Sequence, residues 1–153
     1  MTARNTAERV MGSGRGTVLL AGLALVLALF STACSVSAST ANIGDAMMAR
    51  DGAGKGPTKV FSPADQTFYA IAEVGNAPED TTVKAIWTAV DIDVEGQEPN
   101  LKIDEASTSV DGGGTVTFDL TNEGPWPVGR YKVDLLLNDD KEPARALQFE
   151  VRQ

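Results

Sequence analysis

From Thr58 to the C-terminus the chain alternates apolar and polar residues in short runs broken by turn formers. Val116, Phe118 and Leu120 interleave with Thr115, Thr117 and Asp119. Tyr131, Val133, Leu135 and Leu137 interleave with Arg130, Lys132 and Asp134, and Leu147, Phe149 and Val151 with Gln148 and Glu150. A period of two is the mark of a strand with one buried side. Seven runs fit it or its β-branched composition: Lys59–Phe61, Thr67–Val74, Thr82–Ile92, Leu101–Ile103, Gly114–Thr121, Arg130–Leu137 and Ala144–Val151. Gly, Pro and Asn clusters such as Gly75-Asn76-Ala77-Pro78 and Asn122-Glu123-Gly124-Pro125 separate them. No helical pattern of ten residues intervenes, so residues 58–153 are expected to be all-β, a seven-stranded antiparallel sandwich or barrel.

The N-terminal part obeys a different pattern. Arg4, Arg9 and Arg15 precede an uncharged apolar run from Thr17 to Phe30, and Ser31-Thr32-Ala33-Cys34 follows. Crossing a bilayer takes about 20 apolar residues, so this run is short for a spanning helix. A basic flank, a short apolar centre and small residues before a cut are the parts of a secretory signal peptide, expected over residues 1–33. The segment resembles the lipobox of bacterial lipoproteins, with Thr32 and Ala33 fitting the pattern and Ser31 standing where that family usually has Leu. The resemblance implies cleavage after Ala33 by signal peptidase II. It also implies a thioether-linked diacylglycerol on Cys34, joined by further acyl groups such as palmitate. Cys34 is the only cysteine, so the processed chain has no internal disulfide.

Residues 34–57 are rich in Ser, Ala and Gly and lack a sustained period, so they read as a lipidated flexible tether. The G-x-G-x-G spacing at Gly52, Gly54 and Gly56 follows no predicted strand and carries no following Lys-Ser/Thr, which argues against a phosphate loop. Within the β-region, Trp87 occupies the third run, and Trp126-Pro127-Val128-Gly129-Arg130-Tyr131 resembles a tyrosine corner. Both are similar to immunoglobulin-like and fibronectin-type-III-like domains, which implies structural roles for Trp87 and Tyr131. Trp126 is expected to plug the end of the core; stacking on a sugar or a peptide proline is the other use of such a residue.

Removing residues 1–33 leaves ten basic and twenty acidic side chains. A surface of that balance repels phosphate backbones and anionic headgroups, so neither nucleic acid nor the bilayer is an expected partner of the protein surface itself. The chain has no histidine, which removes the usual general base near neutral pH and the commonest metal ligand, and the lone cysteine is assigned to lipid. A Ser/Lys or paired-carboxylate site is the formal alternative, but no G-x-S-x-G or S-x-x-K motif follows Cys34. A non-enzyme without cofactor or metal is expected. Asp91-Ile92-Asp93-Val94-Glu95-Gly96 begins like a calcium loop, but Lys102 stands at the twelfth position where a bidentate carboxylate is required, so a solvated loop over 91–98 is expected.

If Trp87 points inward with Val83, Ala85 and Ala89, then Ile86, Val90 and Ile92 point outward, and Leu136 joins them from the neighbouring strand. These four are expected to form an exposed apolar patch, a sign of an interface. The expected function is a lipid-anchored, non-enzymatic envelope protein, extracytoplasmic, whose domain binds a protein partner or has a structural role. The alternative is a small-ligand or carbohydrate-binding module. Ser35 differs from the Asp that commonly retains lipoproteins in the inner membrane, which favours an outer membrane where one exists.

Overall fold

The computed structural model describes residues 41–153. The signal peptide expected over residues 1–33, with Ala33 and Cys34, lies outside the described residues. Within 41–153 the regular structure is all strand: β1 (Asn42–Ala49), β2 (Val60–Phe61), β3 (Thr67–Ile92), β4 (Leu101–Thr121), β5 (Gly129–Leu137) and β6 (Arg145–Val151). They form one curled sheet in the order β1-β3-β5-β6-β2, with β4 paired to β3.

The curl comes from β3 and β4, which stay paired along most of their length. The ladder slips between Val74 and Ala77 and again between Ala77 and Thr81. Asn76 and Asp80 adopt positive φ there, 51° and 62°, and Gly112, Gly113 and Gly114 do the same opposite them. Left-handed residues bend a strand sharply, and glycine does so at least cost. The first half of β3 therefore pairs with β1 and the end of β4, while the second half pairs with β5 and the start of β4. The bend lets the sheet fold back on itself around a single core.

That core is the inner face expected from alternation. Val83, Ala85, Trp87 and Ala89 are buried, opposite Leu137, Leu135, Val133 and Tyr131 in register. Small residues on β3 leave room for large ones on β5, and Trp87 fills the gap between them. Val116, Phe118, Leu120, Phe149 and Val151 complete the lining, with Phe61, Phe68 and Trp126. Phe68 lies 4.6 Å from Phe61 and from Trp126, and Phe149 stacks on Tyr131 at 5.4 Å. Aromatic pairs at such spacing add about 0.5–1.5 kcal/mol each beyond the area they bury.

Three expectations need correction. Residues 42–49 are not tether: β1 pairs antiparallel with β3, and Ile43, Met48 and Ala49 are buried. A register shift between Ile43 and Ala46 hides the period of two. Residues 50–57 are an ordered hairpin closed by Arg50 N–H to Gly56 O at 3.0 Å. It lies over Tyr69, Met47 and Ile71; Gly54 adopts φ 72°, a backbone conformation that side-chain-bearing residues rarely take. Second, the short fourth run extends to residue 110 and continues into the fifth. Third, the sheet is mixed, because β2 runs parallel to β6.

Candidate interaction face

With Val83, Ala85, Trp87 and Ala89 turned inward, Lys84, Ile86, Thr88 and Val90 face outward on β3. Register sets their neighbours. Lys84 is opposite Leu136 and Ser107, Ile86 is opposite Asp134 and Glu105, and Thr88 is opposite Lys132 and Lys102. On β6, Glu150 is opposite Arg130 and Gln148 opposite Lys132. Aliphatic positions are thus set among charged ones.

This arrangement overturns the exposed apolar patch. Leu136 is only 8% exposed, Ile92 packs against the core, and Ile86 and Val90 are half-buried. Charged neighbours on three strands flank them. Lys102 donates to Glu105 at 2.5 Å, and Lys84 lies 3.7 Å from the same carboxylate. The hydrogen bond and charge of Lys102, helped by Lys84, hold the Glu105 carboxyl below the usual carboxylate range. Lys132 donates to Asp134 at 2.6 Å, Arg130 to Asp91 at 3.0 Å, and Arg152 pairs with Glu150.

At the lower border, where β2 meets β6, a groove of about 430 Å³ is lined by Lys59, Val60, Val90, Arg130, Lys132 and Arg152 among others. Val60 is 41% exposed. Alternation in the sequence marks Arg130 and Lys132 as outward-facing. That they meet Lys59 and Arg152 depends on strand order, which no local pattern carries.

The other expected residues fall as follows. Tyr131 donates its hydroxyl hydrogen to the Pro127 carbonyl at 2.7 Å, the bond a tyrosine corner makes. Burial of the phenol pushes its pKa up to about 12. Trp126 is buried against Phe68, and its indole N–H donates to Gln66 O at 3.3 Å. Its ring is a core plug and offers no face to a ligand. Trp87 is fully buried, and its indole nitrogen has no hydrogen-bond partner among the described residues.

In the acidic loop Asp91 is held by Arg130, while Asp93 N–H donates to Val128 O and Asn100 N–H to Val90 O. These bonds close the loop with backbone contacts. No three His, Cys, Asp or Glu side chains among the described residues converge on a common point.

No family model matches this chain, and no curated protein matches it. Among solved structures, the Pseudomonas fluorescens alkylpurine DNA glycosylase AlkC bound to DNA containing an abasic site analog matches with a TM-score of 0.47 and 14% identity. The match covers 74% of this chain, which spans 30% of that one.

Proposed function

We propose that the chain is a lipid-anchored, non-enzymatic protein of the bacterial envelope, with an immunoglobulin-like domain that mediates protein interaction or has a structural role. The observation that carries it is the leader: a basic flank, fourteen uncharged residues from Thr17 to Phe30, and Thr32-Ala33-Cys34. A single lipid chain holds a protein only marginally, so a diacylglycerol on Cys34 with further acylation is what gives durable attachment.

The domain reading is supported by three features. The Tyr131–Pro127 bond has corner geometry. Trp87 lies at the centre of the core on the strand beside β5. The bends in β3 and β4 curl the single sheet around one core, which is compatible with such a domain. The carbohydrate-binding alternative loses its stacking residue, because Trp126 is buried.

Replacement of Cys34 with Ser tests the anchor. The protein is expected to leave the membrane fraction and become freely extractable in buffer. Retention of the Cys34→Ser chain in membranes after high-salt and carbonate washes would contradict the proposal.

A further inference from the structure

Charge is distributed unevenly over the domain. Lys59, Lys84, Lys102, Arg130, Lys132 and Arg152, six of the ten cations of the described residues, lie on or border the outer face built by β2, β6, β5, the second half of β3 and the first half of β4. Four acids share that face: Asp91, Glu105, Asp134 and Glu150. These ten named side chains sum to +2, and the other charged side chains of the described residues, four cations and sixteen acids, sum to −12. A protein so acidic overall gathers its cations here, around the half-buried aliphatic residues Ile86 and Val90 and the exposed Val60.

We infer that this face docks an acidic, aliphatic-rich segment of a partner protein, with Arg130 and Arg152 at the groove as its principal carboxylate receptors. The inference rests on the reading of the domain as an interaction module. Arg130 and its partner Asp91 have side chains that are 62% and 65% exposed. Such pairs contribute little in water and exchange partners readily, so a carboxylate arriving from outside replaces the internal one at small cost. The guanidinium forks of Arg130 and Arg152 suit bidentate capture of carboxylates. A peptide fits better than a glycan because the face presents aliphatic stems and no exposed aromatic ring for sugar stacking. Both tryptophans of the chain are buried. The acidic remainder of the surface repels the same partner elsewhere, which fixes where it lands.

The test uses the full lipidated chain in detergent micelles and a fluorescent peptide of alternating Glu and Leu, followed by anisotropy. Binding is expected, weakening about tenfold between 50 and 300 mM salt because the contacts are exposed charge pairs. Arg130→Glu with Arg152→Glu is expected to abolish it, whereas Arg130→Lys with Arg152→Lys retains part of it. Circular dichroism of both doubles checks that the fold persists. Three arms overturn the inference: no peptide binding, equal binding by the Glu double variant, or tighter binding of polygalacturonate or of phosphatidylglycerol vesicles. Mass analysis of Cys34 on the same sample keeps this outcome separate from the anchor, since a chain that is acylated but does not bind sinks only the docking face.

Discussion

The two halves of β4 share one strand and differ in almost everything else. Val116, Phe118 and Leu120 in the second half are 4–6% exposed and line the core. Residues 101–110 also pair with β3, with one register shift between Trp87 and Thr88, yet none of them is buried. Both halves are laddered; what lies behind them differs. Behind the second half sit Phe68 and the aromatic cluster, whereas the first half reaches the core only through the partly buried Ile103, Ala106 and Val110. An exposed edge invites pairing with other strands, and Lys102, Asp104, Glu105 and the Ser107–Ser109 run make this half polar. Backbone pairing places a strand, and burial of its side chains decides how much stability it contributes.

The contrast is sharpest under substitution. Phe118→Ala opens a cavity beneath the buried half and is expected to lower stability by about 3–5 kcal/mol in urea denaturation. A loss under 1 kcal/mol would mean that this half is not the packed one. Gly129→Ala comes next. It stands at φ 151°, and a Cβ there would approach the Asp91 carbonyl to 2.3 Å. Strain together with displacement of the β3–β5 ladder is expected to cost about 3 kcal/mol, read as a fall in the thermal midpoint.

Tyr131→Phe removes one bond to Pro127 from a buried corner and is expected to cost about 1–1.5 kcal/mol. The same phenol gives a pH signature. Its folded pKa is raised above the ordinary value, so the neutral form is favoured by folding. The associated stability is complete below pH 10 and is lost as pH rises from about 10 to about 12. Ultraviolet titration should find one phenol ionising near pH 12, and Tyr131→Phe should remove that step. Last comes Ser107→Ala, on the first half of β4, expected to change stability by no more than about 0.5 kcal/mol.

The same contrast explains what the sequence discloses. Inner faces that meet a packed core repeat with period two, and all the core positions expected on β5, with Val116, Phe118 and Leu120 on β4, are buried. Residues 104–110 escape detection because only Ala106 and Val110 among them pack against the core, too few apolar positions to show an alternation. Strand β1 escapes for a different reason: the shift between Ile43 and Ala46 breaks the alternation, and Ser, Ala and Gly on either side mimic a linker. The tyrosine corner is legible because its local spacing fixes its geometry. The cationic face is not, since Lys59, Arg130 and Arg152 are distant in sequence and meet only through strand order. Ile86 and Leu136 show the limit of counting faces: alternation gives the side of a sheet, not how far its neighbours cover it.

The anchor remains the claim on which the biological setting depends, and the intact mass of the native polypeptide tests it most directly. The account predicts a chain beginning at Cys34 that carries diacylglycerol and further acyl mass. A chain that retains residues before Cys34, or whose Cys34 bears no acyl group, would contradict it.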